Sequence, residues 1–280
     1  MGKQKLGISL SREYPVPMAQ AVKMIADCGF DAVSPVWYKT EVLQEALSAA
    51  KACRLQLQSL HAPFGKTVSL WHRDENTDAC LQTILQALDV CREHEIPVLV
   101  MHAWIGMDYT FEKAALDYSR FDRIVSHAEE AGVRIAFENT EGEEYLTALM
   151  EHFGSSKAVG FCWDSGHEMC YNHSKDLLAV YGDRLLMTHL NDNLGISDAN
   201  GAITPRDDLH LLPYDGIADW DYNIARLQKA RKQESLNCEL LRESKPGRHE
   251  NDKYEQMPLP QYLAEAYARA KRIAAGYAKD

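Results

Sequence analysis

Four side chains in this sequence have the types and the placement to hold a divalent cation: Glu138, Asp164, His189 and Glu239. Each stands at or just past the end of a short apolar run. The runs are Val133-Arg-Ile-Ala-Phe-Glu138, Val159-Gly-Phe-Cys-Trp-Asp164, Leu185-Leu-Met-Thr-His189 and Leu236-Asn-Cys-Glu239. Three carboxylates and an imidazole form a suitable donor set for one divalent metal ion. Charge at the end of a buried strand is costly to desolvate, so it implies a partner or an ion.

More imidazoles and carboxylates gather on the same face. His61 and His102 end two earlier apolar runs, and His167 follows Asp164 by three residues. Asp208 and His210 lie in the segment Arg206-Asp-Asp-Leu-His-Leu-Leu-Pro-Tyr-Asp-Gly216. A single strand-end histidine is more often a hydrogen-bonded structural residue. Five of the eleven histidines on one face point instead to further metal or substrate contacts. His72, His94, His127, His152, His173 and His249 are read as surface or packing residues. Trp37, Phe64 and Trp104 lie near strand ends and are expected to shape a pocket. Trp163 precedes a ligand, so strand alternation turns it toward the core.

The elements that must position these groups alternate throughout. Apolar runs predict strands at 5–10, 31–37, 55–61, 97–102, 133–138, 158–164, 184–190 and 236–241. Helical spacing predicts helices at 18–28, 41–52, 78–95, 111–131, 143–153, 174–181, 220–232 and 259–278. Gly132 is expected as the left-handed residue closing the fourth helix. Eight such units, without a linker, predict an α/β fold: one (β/α)8 TIM barrel domain over residues 1–280, with its active site at the strand C-termini. An open doubly wound sheet lacks support, because no GxGxxG follows the first strand. The connections 191–218 and 242–258 are long for such units and are expected to act as lids or substrate walls.

Bulk properties bound the partners. The net charge of -11 disfavours nucleic acid held by a broad basic surface. No run of 18 apolar residues is present and no signal-type segment precedes the first strand, so neither membrane nor export is expected. The seven scattered cysteines suit reduced thiols in a cytoplasmic protein.

Six motifs in register resemble the xylose isomerase-like barrel superfamily, which includes the sugar phosphate isomerase/epimerase family and the related endonuclease IV family. They are Leu60-His-Ala-Pro-Phe64, Phe137-Glu-Asn-Thr140, Cys162-Trp-Asp-Ser-Gly-His167, Thr188-His-Leu-Asn-Asp192, Asp208-Leu-His-Leu-Leu-Pro-Tyr-Asp-Gly216 and Cys238-Glu-Leu240. The epimerase branch implies one divalent ion (manganese, zinc, cobalt or magnesium) on Glu138, Asp164, His189 and Glu239. It further implies that Glu138 and Glu239 are catalytic and shuttle a proton on the two faces of a metal-bound cis-enediolate of a sugar, sugar phosphate or polyol. His167 and Glu144 match substrate-binding positions, and Trp37 and Trp104 are expected beside them. Where those epimerases carry an arginine six residues after the seventh-strand histidine, this chain has Gly195. Arg206, Arg242 or Arg248 are candidates to replace it. Relatives often form dimers or tetramers, which makes a homo-oligomer an open expectation.

The endonuclease branch implies a different chemistry. It holds three zinc ions on nine ligands, whose equivalents here are His61, His102, Glu138, Asp164, His167, His189, Asp208, His210 and Glu239. Such a cluster would cleave a phosphodiester at an abasic site. A polyol dehydratase is the third reading. A metal-dependent isomerase or epimerase is the primary expectation.

Overall fold

A computed structural model describes residues 3–278; the ends of the expected 1–280 domain lie outside that range. Among the described residues nine short parallel strands alternate with helices, except that the third and fourth follow one another directly. They are β1 (Lys5–Ser9), β2 (Ala32–Ser34), β3 (Gln56–Leu57), β4 (Leu60–His61), β5 (Val98–His102), β6 (Arg134–Glu138), β7 (Val159–Asp164), β8 (Leu185–His189) and β9 (Ser235–Cys238). The expected third strand is broken into β3 and β4. Ala32 pairs with Gln56 but Val36 pairs with His61, so the later strand carries one extra residue and bulges. Pro35 ends β2 because it has no N–H to give the ladder.

Hydrogen bonding follows the order β3-β2-β1-β9 and β4-β5-β6-β7-β8. Two seams close the barrel. The His61 amide donates to the Pro35 carbonyl at 2.9 Å, and the Leu190 amide donates to the Asn237 carbonyl at 2.9 Å. The fold is the expected (β/α)8 barrel.

The principal helices are α1 (Met18–Cys28), α2 (Thr40–Ala52), α3 (Thr77–Glu93), α4 (Ser119–Ala131), α5 (Glu143–His152), α6 (Ser165–Cys170), α7 (Leu177–Tyr181), α8 (Trp220–Lys229), α9 (Asp252–Glu255) and α10 (Leu259–Tyr277). Gly132 closes α4 at φ 70°, the backbone conformation that favours glycine. The helix expected at 111–131 begins later, after a short 3-10 turn at Lys113–Ala115. Among the described residues no helix is long and apolar enough to cross a membrane. All seven cysteines are free.

The barrel interior has two halves. Val98, Val100, Ala136, Cys162, Leu186 and Met187 form an apolar plug. Opposite them, Asn237 donates to Ser9 at 3.0 Å, Ser34 donates to Asn237 at 3.2 Å, and Gln58 donates to the Ser235 carbonyl at 3.0 Å. Two residues further along β5, β6, β7 and β8 come His102, Glu138, Asp164 and His189. Strand alternation therefore turns these four side chains inward, one layer above the plug.

Candidate active site

The strand ends converge on Glu138, which is fully buried. Its Oε1 is 2.8 Å from Nδ1 of His189 and 3.4 Å from Nδ1 of His167. Its Oε2 is 3.2 Å from Nε2 of His61 and 3.4 Å from Nε2 of His102. Burial alone would raise this carboxyl, but His189, His102 and His167 overcome it and hold the group well below the usual carboxylate range. Glu239 reaches the same His189 Nδ1 with its Oε2 at 2.9 Å. Burial opposes its charge too, yet His189 brings it down to about 2. His189 answers in kind: burial would lower it, while Cys162, Glu138 and Glu239 hold it well above its ordinary value.

Asp164 ends β7 and caps α6, a helix that the apolar pattern does not announce. Its Oδ1 accepts the His167 amide at 2.7 Å, and its Oδ2 accepts from Asn191 Nδ2 at 2.8 Å. Burial pushes this carboxyl up to about 6, with Glu138 and Glu239 adding to the shift and His167 and His210 opposing it. The cap explains the three-residue spacing to His167, because an N-cap side chain satisfies the amide three residues on.

A second layer comes from the loop after β8. Asp208 Oδ1 lies 3.2 Å from Nε2 of His167 and 2.8 Å from Nε2 of His210. Burial opposes the Asp208 charge, but these two imidazoles hold its carboxyl well below the usual range. Against the same burial, Asp208 raises His210 to about 9. His210 stands at φ 44°, in the left-handed region. Backbone strain of that kind is found at functional sites, where the surroundings over-determine it. An antiparallel bridge between Asp192 and Leu211 supplies the constraint.

Eight of the nine side chains form overlapping donor groups whose ligand atoms lie within 4.8 Å of one another: Glu138–Asp164–His189–Glu239, His61–His102–Glu138 and Asp164–His167–His210. Asp208 joins them only through His167 and His210. A fourth group adds Cys162 to Glu138 and His189. The donor set suits a divalent cation. Buried Nδ1 of His167 and Oδ1 of Asp208 make no aligned hydrogen bond, although both face charged neighbours. Buried polar atoms left so are rare unless an ion or ligand completes them.

A cleft of about 700 Å³ opens above the cluster. His61, His102, His167, Asp208, His210 and Glu239 all line it. Both long connections contribute walls, through Pro205 and Asp208 from the first and Glu243 to Pro246 from the second. Phe64 stacks on His102 with ring centroids 4.5 Å apart. Arg12, Glu13, Tyr38, Glu141, Tyr171 and Lys245 complete the walls, and the sequence reading had not singled them out. Their signal was position alone, since most follow a strand end or sit on the second long loop.

Three expected substrate contacts fall elsewhere. Glu144 accepts a hydrogen bond from the Tyr109 hydroxyl at 2.8 Å and lines a separate cavity of about 380 Å³. The left-handed Gly142 turns the chain before α5, so Glu141 faces the cleft in its place. Trp37 packs against the core while its neighbours Val36 and Tyr38 line the cleft, as alternation requires. Trp104 stacks on Tyr145 at 4.1 Å and donates to the Gly106 carbonyl at 3.0 Å. Nor do the loop arginines face the cleft. Arg242 ties down the Glu255 and Met257 carbonyls, and Arg248 pairs with Asp207 and Glu250.

An eight-position parallel barrel with carboxylates and imidazoles crowded at the strand C-termini defines a class of barrel built around a polar, cation-suited centre. The chain belongs to the xylose isomerase-like TIM barrel family, whose model matches residues 22–266. The "Uncharacterized protein y4fM" of Sinorhizobium fredii (strain NBRC 101917 / NGR234) is 31% identical over 183 residues, or 61% of this chain. The chain spans 55% of that relative's length. Among solved structures, the IOLI protein with a binding zinc atom superposes with a TM-score of 0.74 at 16% identity, over 99% of this chain and 100% of that one. D-Psicose 3-epimerase with D-tagatose, from Clostridium cellulolyticum H10, superposes with a TM-score of 0.65 at 13% identity, over 98% of both chains.

Proposed function

We propose that this protein is a divalent-metal-dependent isomerase or epimerase of a sugar, sugar phosphate or polyol, working as one barrel domain over residues 1–280 in the cytoplasm. The observation that carries the reading is the pair of carboxylates, Glu138 and Glu239, that approach His189 Nδ1 at 2.8 and 2.9 Å. Glu138, Asp164, His189 and Glu239 would hold one ion: manganese, zinc, cobalt or magnesium. Polarisation of a substrate carbonyl and its neighbouring hydroxyl, which acidifies the C–H between them, is the chemistry such an ion supplies when bound. Glu138 and Glu239 would then act as proton acceptor and donor at that carbon. His167, fixed by the hydrogen bond its backbone amide donates to Asp164 Oδ1, orients a substrate oxygen from one wall. The family resemblance and the sugar epimerase among the similar folds support the same reading.

A second reading is favoured by the overlap of the donor groups, which brings His61, His102, His167 and His210 within range of further ions, with Asp208 beside His167 and His210. That would suit a trinuclear zinc phosphodiesterase of the endonuclease IV kind. The acidic side chains Glu13, Glu141 and Glu243 on the cleft walls weigh against a phosphodiester backbone there. Elemental analysis of protein purified without chelator or affinity tag separates the two. Close to one divalent ion per chain, with metal-dependent loss of a ketose C–H to solvent deuterium, supports the first. Two or three zinc ions and cleavage of abasic-site DNA would replace it.

A further inference from the structure

We infer that Glu13 is a specificity-determining residue of this cleft: it accepts a substrate hydroxyl remote from the reacting carbons and disfavours a phosphate or carboxylate at that position. The inference rests on reading the cluster as a sugar site. Glu13 follows β1, where Ser11 Oγ accepts its amide at 3.1 Å and turns the chain into the cleft wall. Its Oε2 is buried and makes no hydrogen bond. The other cleft carboxylates nearer the cluster are engaged. Glu141 Oε1 accepts the Gly106 amide at 2.7 Å, Asp208 sits between His167 and His210, and Glu239 is held by His189. A buried acceptor left unmade costs free energy until a donor fills it. In a cleft above a cluster that grips one end of a polyhydroxy molecule, the hydroxyls of the other end are the donors available.

The neighbouring charges decide which ligands are rejected. Glu243 lies beside Glu13, and burial together with Glu243 disfavours the ionised Glu13 side chain. Arg12 and Lys245 offset that repulsion. Lys245 is already paired, its Nζ 3.3 Å from Asp208 Oδ2, while the Arg12 guanidinium lies over the Tyr38 ring at 5.4 Å and sets its charge against that of Glu13. A phosphate on the distal carbon would meet Glu13 and Glu243, two carboxylates set against Arg12, which among the described residues is the one cation on that wall not already ion-paired. Like-charge juxtaposition of this kind is a device of specificity, because it penalises the wrong ligand more than it helps the right one.

The test is binding of D-fructose and D-fructose 6-phosphate to the metal-loaded full chain, followed by titration calorimetry and ligand-observed NMR. Wild type is expected to bind the free ketose about tenfold more tightly than its 6-phosphate. Glu13→Gln keeps an acceptor and removes the charge, and is expected to narrow that ratio to about threefold or less. Equal or tighter binding of the 6-phosphate by wild type overturns the inference and leaves the sugar reading standing. An unchanged ratio in a folded Glu13→Gln overturns the assignment to Glu13. Binding of neither probe by wild type overturns the sugar reading and this inference with it. Should the variant not fold, the wild-type ratio still tests the charge argument.

Discussion

Glu138 and Glu239 meet on one nitrogen: Nδ1 of His189 stands 2.8 Å from an oxygen of the first and 2.9 Å from an oxygen of the second. The two differ in what surrounds them. Glu138 is sealed among four imidazoles, whereas the Glu239 side chain keeps 20% of its exposure at the cleft floor. Glu239→Gln is therefore expected to cut proton exchange at the substrate carbon by about 10²–10⁴-fold, with the melting temperature little changed. Glu138→Gln leaves four imidazoles facing an amide, and is expected to cost the metal-free protein about 3–5 kcal/mol as well as its activity. Turnover and thermal melts on both variants check this. A Glu239→Gln enzyme with wild-type turnover would remove Glu239 from the mechanism.

Asp215 gives a pH dependence away from the metal-suited cluster. Its carboxylate clasps the two long loops to α10, receiving Arg269 at 2.9 Å, Lys253 at 3.0 Å and the Tyr254 hydroxyl. Burial opposes the charge, but Tyr254, Lys253 and Arg269 prevail and hold the group below its ordinary range. A depressed carboxyl stabilises the fold above the unfolded value, about 3.9, and loses that contribution as pH falls through the folded value. Wild type is expected to exceed Asp215→Asn by about 1–3 kcal/mol at pH 7. The gap should hold down to about pH 5 and shrink below about pH 4. Urea denaturation across pH measures it, and a gap that widens in acid contradicts the assignment.

The barrel and the strand-end cluster were legible because two periods coincide in the sequence. Strand alternation fixes the inward face, and the last inward residue of β5, β6, β7 and β8 is polar. What local pattern could not show is register. Phe161 pairs with Leu185 but Cys162 pairs with Met187, so β8 carries an extra residue at Leu186. Only that slip brings Asp164 opposite His189. The bulge in β3–β4 is equally silent in sequence, yet it sets Val36 against His61. Likewise, six-residue spacing cannot tell Glu144 from Glu141, because a left-handed turn at Gly142 lies between them.

Two aromatics that look alike in sequence are expected to behave differently. Tyr38 is 41% exposed and lines the cleft, whereas Trp104 is 5% exposed and stacks on Tyr145. Tyr38→Ala is expected to weaken ligand binding while changing stability by less than about 0.5 kcal/mol, as for other exposed positions. Trp104→Ala opens a cavity against Tyr145 and is expected to cost about 3–5 kcal/mol. Chemical denaturation and titration of D-fructose on both variants make the comparison. Equal stability losses would contradict separate roles for Trp104 and Tyr38.

Asp192 is the residue through which the long loop after β8 is held, although it touches none of the reacting groups. It is fully buried. Oδ1 accepts the amides of Asn193 at 2.8 Å and Ala218 at 3.0 Å. Oδ2 accepts the Tyr214 amide at 2.8 Å and the Trp220 indole at 2.9 Å. Its backbone also exchanges hydrogen bonds of 2.8 and 2.9 Å with Leu211, the residue next to His210. Gly216 presses close enough that a Cβ there would meet Asp192 Oδ1 at 2.2 Å, so the side chain has no room to shift. Asp192→Ala strands four donors at once, each worth about 1–3 kcal/mol when buried and unsatisfied, although some will find water. The strained His210 backbone is expected to relax as the loop loosens, taking Asp208 out of reach of His167. A stability loss of about 3 kcal/mol or more follows, with metal affinity down about 10–100-fold, the range for losing an outer-shell support. Limited proteolysis supplies a readout that a simple loss of charge would not move: cleavage should concentrate within 191–218 in Asp192→Ala and stay absent there in Glu239→Gln. A protected loop in a folded Asp192→Ala protein would show that the bridge to Leu211 holds His210 without the carboxylate.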